Sequence, residues 1–120
     1  SRGQLYPRLA EFAIQEIHNL KPQELCNFLW AFATLGIRYH PLFEAAARTL
    51  VATLDNLNAY DLGQTAWSYA TVRLRPEGLF DAVAARVKRG CDTHKPINVA
   101  NLCWAFAKLG YTDEAFYLHL

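Results

Sequence analysis

Three primary amides stand at a constant interval: Asn27, Gln64 and Asn101, each 37 residues after the last. A side-chain amide both donates and accepts hydrogen bonds, so a row of amides has the chemistry to read the edge of a nucleobase. At helical geometry each amide shares a narrow face with small or polar neighbours. These are Gln23, Ala31 and Thr34 in the first copy, Tyr60, Ser68 and Thr71 in the second, and Ile97, Ala105 and Lys108 in the third. The base-facing set expected from this pattern is Gln23, Asn27, Thr34, Tyr60, Gln64, Ser68, Thr71 and Asn101, with Ile97 breaking the polar row. The competing expectation is architectural: the amides bond to a neighbouring helix or turn.

Charge follows the same interval. The windows 19–38, 56–75 and 93–112 hold six basic residues, Lys21, Arg38, Arg73, Arg75, Lys95 and Lys108, against Glu24 and Asp61. The remainder is acidic, and the whole 120-residue chain has a formal net charge of +1. A basic side on a nearly neutral chain suits a surface that tracks phosphates. Lys21, Arg38, Arg75, Lys95 and Lys108 are the expected phosphate contacts, although charges placed only for solubility give a similar pattern.

No catalytic constellation accompanies these residues, so no enzyme activity and no cofactor is expected. Ser68 has no evident base, and no glycine-rich loop follows a strand. Cys26, Cys91 and Cys103 are odd in number and lack a Cys-x-x-Cys spacing, which favours small hydrophobic roles over disulfides or zinc. The four histidines are scattered, without the spacing of a metal pair. Asp113 and Glu114 read as helix N-terminal charge. No apolar run reaches the ~20 residues of a membrane span, so no membrane partner is expected.

The elements that must position the amides are helices. Leu29-Trp30-Ala31-Phe32-Ala33-Thr34-Leu35-Gly36 recurs as Ala66-Trp67-Ser68-Tyr69-Ala70-Thr71-Val72-Arg73 and Cys103-Trp104-Ala105-Phe106-Ala107-Lys108-Leu109-Gly110. The pairs Leu5-Tyr6, Leu42-Phe43, Leu79-Phe80 and Phe116-Tyr117 keep the same 37-residue phase. Two patterns in one phase mark stacked supersecondary repeats. Apolar steps of three and four predict a helix over 3–18. Pro22 opens a second helix that Gly36 ends near Leu35. Further helices are expected from Pro41 to about Asp55, from Ala59 to Arg73, from Pro76 to about Cys91, and from Pro96 to Leu109, with the start of another after Asp113.

The fold class is therefore all-α, an α-solenoid of stacked helical hairpins, each burying its apolar face against its neighbours. It is a single segment over 1–120: a partial repeat at 1–18, repeats at 19–55 and 56–92, and an incomplete one at 93–120. The interrupted repeats and the absence of methionine lead to the expectation of a piece of a longer protein. On the helix from Pro22, Leu25, Phe28, Leu29, Phe32 and Leu35 form the core face. Trp30, at the margin of the polar stripe, and its counterparts are expected to pack in the core or between repeats, each worth ~3–5 kcal/mol.

The tryptophan phrase and its phase resemble the octotricopeptide and heptatricopeptide repeat proteins of organelles, the latter in period especially. The resemblance rests on Leu29 to Gly36 and Asn101 to Gly110 and covers essentially the whole chain. The middle copy departs from the pattern at Ser68, Tyr69 and Arg73. The resemblance implies sequence-selective binding of single-stranded RNA in a mitochondrion or chloroplast, in transcript maturation, stability or translation. It equally implies holding ribosomal RNA beside organellar ribosomal proteins. It implies no enzyme in the repeats. The alternative is a protein-binding helical-repeat scaffold or a structural subunit of a larger complex.

Overall fold

The computed structural model describes residues 2–90 and 96–110. Among them are six α-helices, two short 3-10 turns and no strand. The helices are α1 (Arg2–Gln15), α2 (Pro22–Thr34), α3 (His40–Ala52), α4 (Ala59–Thr71), α5 (Leu79–Lys88) and α6 (Pro96–Lys108). The 3-10 turns, Ile17–Asn19 and Leu54–Asn56, lie between α1 and α2 and between α3 and α4. The helix expected after Asp113 lies outside the described residues.

The helix starts follow from their caps. At α2, Pro22 occupies the first turn and the Glu24 carboxylate accepts the Lys21 backbone N–H at 2.8 Å. At α4, Asn58 and Asp61 exchange side-chain-to-backbone bonds of 2.8 and 3.2 Å, a reciprocal capping box. Pro76 misleads as a start signal: α5 begins at Leu79, after Gly78 turns into the left-handed region at φ 86°.

The helix ends repeat one another more closely than the starts. Gly36, Arg73 and Gly110 all have positive φ, at 73°, 59° and 71°. After α2, Ile37 N–H reaches Phe32 O at 2.8 Å and Gly36 N–H reaches Ala33 O at 3.0 Å. After α4, Leu74 and Arg73 make the matching bonds to Tyr69 and Ala70. Both are Schellman endings, in which a left-handed residue turns the chain back to satisfy the last carbonyls. Arg73 makes the turn without glycine's freedom, at a steric cost of ~1–2 kcal/mol.

The helices form two layers. α2, α4 and α6 pack side by side in one, α1, α3 and α5 in the other, and α2 with α3 and α4 with α5 join the layers. One aromatic contact recurs between the layers. Tyr6 meets Phe32 edge-on at 6.0 Å, Phe43 meets Tyr69 at 5.2 Å, and Phe80 meets Phe106 at 5.0 Å. The central pair is locked further by a 2.6 Å bond from the Tyr69 hydroxyl to Phe43 O, which satisfies a buried phenol. Leu25, Leu29, Leu42, Leu50, Leu62, Leu79 and Leu102 fill the space around these rings.

The expected core face of α2 needs two corrections. Phe28 is only half-buried, and Leu35 is 52% exposed. Leu35 lies in the C-cap turn, where the helix ends before its side chain meets the second layer.

Candidate functional site

The layer of α2, α4 and α6 presents the amides on one face. On α4, Tyr60, Gln64 and Trp67 stand at i, i+4 and i+7 and so form one stripe. Trp30 from α2 and Asn101 from α6 close the sides, and the five residues enclose an open pocket of about 200 Å³. Beyond it Trp67 stacks on Trp104, with centroids 6.4 Å apart and planes 30° apart. The Lys108 ammonium lies over the Trp104 ring, 5.4 Å from its centre, within the range of a cation–π contact.

For the tryptophans the geometry favours the second of the two expected places, packing between successive helices of the layer, as the Trp67–Trp104 stack shows. Trp30 and Trp104 are 45% and 44% exposed and Trp67 is half-buried, so none is a core residue. The inward positions are already taken by Leu25, Leu29 and Phe32 on α2, by Leu62, Ala66 and Tyr69 on α4, and by Leu102 and Phe106 on α6. Trp30 follows Leu29 by one helical step and is rotated out of the core toward the adjacent helix of its own layer. The tryptophans therefore belong to the candidate site, although their residue type argues for burial. The signal available in the sequence was their place beside the polar stripe.

The expected base-facing residues have different surroundings. Tyr60 is exposed, and Asn101 is half-buried at the pocket. Gln64 is buried apart from the edge that lines the pocket, and its Nε2 donates to Asn27 Oδ1 at 3.2 Å. Asn27 is exposed and Gln23 donates to Asn56 O at 2.9 Å, so Gln23, Asn27 and Gln64 also tie neighbouring segments together. Thr34 is exposed in the last turn of α2. Ser68 is fully buried, and its hydroxyl donates to Gln64 O at 2.8 Å. Thr71 is half-buried, with a shielded hydroxyl oxygen that lacks a hydrogen-bond partner. Helix α4 is flanked by α2 and α6, which is why its polar stripe is more closed than that of α2.

The cations lie at the helix ends of this layer. Lys21 is exposed at the start of α2 and Lys108 at the end of α6. Arg38 Nε donates to Val72 O at 2.8 Å and Arg75 Nη1 donates to Leu109 O at 3.1 Å. Each arginine thus reaches the C-terminal end of the next helix in its layer, where a positive charge meets the negative end of the helix dipole. Lys95 lies outside the described residues. Both carboxylates in the basic windows are committed to helix starts, Glu24 at Lys21 and Asp61 at Asn58.

The described residues contain no group of three histidines, cysteines or acids placed to share a metal ion. No described helix is long and apolar enough to cross a membrane. Cys26 is buried with its sulfur 3.2 Å from Thr65 Oγ1. Burial pushes its thiol up to about 11, which keeps it protonated and unreactive near neutrality. Burial also raises Cys103, while Cys91 lies outside the described residues.

An aromatic and amide pocket on one layer of helices marks the candidate site of this helical protein, and no reaction centre is assembled among its described residues. The family described as RESC6, RNA-editing substrate-binding complex 6 protein, matches residues 2–120. The chain belongs to that family. No curated protein and no solved structure shows significant similarity to it. The family match overturns the resemblance to octotricopeptide and heptatricopeptide repeat proteins. That resemblance rested on the tryptophan phrase and its 37-residue phase, which report helix packing and its spacing and do not by themselves fix a family.

Proposed function

We propose that the chain is a structural, non-enzymatic subunit of an RNA-editing substrate-binding complex. In this reading it is a solenoid of 37-residue helical hairpins whose α2, α4 and α6 face is the interaction surface. The family match over residues 2–120 carries the reading. The hairpin stack is supported by the aromatic pair that returns every 37 residues and by the paired arginine contacts, Arg38 to Val72 and Arg75 to Leu109. It is also supported by a long dimension of 46 Å against widths of 26 and 25 Å.

A second reading, direct binding of single-stranded RNA by the same face, is favoured by the pocket that unites Trp30, Tyr60, Gln64, Trp67 and Asn101. Lys21, Arg38, Arg75 and Lys108 would then meet phosphates at the helix ends. An editing assembly accords with a mitochondrial location; the family's description lends nothing to a chloroplast, ribosomal RNA or ribosomal proteins. The test is affinity purification of the tagged full-length protein with and without ribonuclease. A subunit held by protein contacts brings down the same editing-complex proteins in both samples. Recovery without such proteins sinks the reading, and their loss on ribonuclease treatment transfers the weight to RNA contact.

A further inference from the structure

We infer that the pocket bounded by Trp30, Tyr60 and Trp67 receives one unpaired base of a single-stranded RNA, with Gln64 and Asn101 at its polar edge. The inference rests on the second reading above and adds the ligand group and the residues that hold it.

Three observations favour a nucleobase over other occupants. The first is the wall chemistry. Trp30, Tyr60 and Trp67 supply aromatic surfaces from two adjacent helices, and Tyr60 and Trp30 remain 57% and 45% exposed. A planar ring with two π-faces uses such surfaces, and stacking of this kind is tolerant of base identity. The second is the pair of amides in the same pocket. A purely apolar side chain entering there would take Gln64 and Asn101 from water without replacing their hydrogen bonds, a costly exchange. A base offers donors and acceptors in one plane, and the bond from Gln64 to Asn27 uses only one of the two donors of that amide.

The third observation is charge. Among the described residues no cation lines the pocket, so no described charge draws a phosphate into it. Lys108 stands further along the same row, over Trp104, and Lys21 at the start of α2. The two acids of this layer, Glu24 and Asp61, are held at helix starts by their own caps. Base inside and phosphates outside is the division that this arrangement favours.

The experiment compares binding of the full-length protein to a labelled short oligouridylate and to an abasic oligonucleotide of equal length and charge, by fluorescence anisotropy. Base capture predicts tighter binding of the oligouridylate. Tyr60→Ala and Trp30→Ala should each weaken that binding by about tenfold, within the range of base–aromatic stacking, and leave abasic binding unchanged. Tyr60→Phe, which keeps the ring, should restore affinity. A retained cooperative melting transition shows that the variants fold.

Equal affinity for the abasic strand overturns the base pocket while RNA contact through phosphates survives. The same holds if the oligouridylate binds normally to both alanine variants. If the unaltered protein binds neither strand, the base pocket and the RNA-contact reading fall together, and the face is left to a protein partner.

Discussion

Two aromatic series share the 37-residue interval and occupy opposite environments. Tyr6, Phe43 and Phe80 meet Phe32, Tyr69 and Phe106 edge-on between the two layers, and Phe43, Tyr69 and Phe106 are wholly buried. Trp30, Trp67 and Trp104 recur just as regularly, yet two of them are nearly half exposed. Periodicity therefore reports that the use of a residue type returns at a fixed interval. It does not report whether the use is burial. The buried series fixes the distance between layers, and the tryptophan series lines the outer side of one layer.

The sharpest way to separate the series is to truncate one member of the buried one. Phe43→Ala should lower the unfolding free energy by ~3–5 kcal/mol, the usual cost of removing a large core aromatic. The loss would combine the lost transfer energy of a ring with no exposed surface and a cavity beside Tyr69. Urea denaturation measures it. A change under ~1 kcal/mol would mean that the recurrent ring pair is incidental to the fold.

The buried side should also be the side that fails in alkali. Cys26 has a folded pKa of about 11 against 9.0 for the free thiol, and burial raises Tyr69 well above 10 as well. Both groups are neutral when protonated, so the folded state holds their protons to higher pH than the unfolded state does. Their contribution is complete below about pH 9 and is lost as pH rises toward 11, with ~2–3 kcal/mol from Cys26 alone by linkage. Melting temperatures taken between pH 8 and 11 check the sign, and Cys26→Ala should flatten part of the slope. A slope unchanged by that substitution would place the alkaline sensitivity elsewhere.

Between the two regions lie the turns, which determine how one helix hands the chain to the next layer. Arg73 holds φ 59° where its counterparts are Gly36 and Gly110. Arg73→Gly should stabilise the protein by about 1 kcal/mol, because relief of the left-handed strain exceeds the added entropy of the unfolded chain. Thermal denaturation gives the answer. Destabilisation would show that the Arg73 side chain contributes more than its backbone costs.

Much of the helical order was legible because proline, asparagine and glycine act locally. Pro22, Asn58, Gly36 and Gly110 mark their helix boundaries through their own torsions and hydrogen bonds. Pro76 was misleading because a proline two residues upstream can belong to a turn, and Gly78 set the actual start. The common face of Asn27, Gln64 and Asn101 was legible from helical geometry, and the bond from Gln64 to Asn27 shows how close two of them lie. The closure over Ser68 was not, since it depends on how closely α2 approaches α4 at Gln64 and Thr65, the neighbours of Ser68 around the helix, which bond Asn27 and Cys26. The family could not be read from the tryptophan phrase, since packing alone selects small residues beside large ones at helix crossings.

The smallest stability effect is the one that tests the comparison most directly. Trp30 is the largest side-chain type, and in a core its truncation would rival that of Phe43. In its observed place one side faces solvent and the pocket, so much of its surface is already paid for in the folded state. Trp30→Ala should then cost less than about 1 kcal/mol in urea denaturation, close to the surface-substitution range. A loss equal to that of Phe43→Ala would make the tryptophan row a second core, and its exposure could not then be read as room for a partner. A small loss leaves the large, regularly spaced rings without a stability reason to recur, which is the circumstance in which an interaction role best accounts for them.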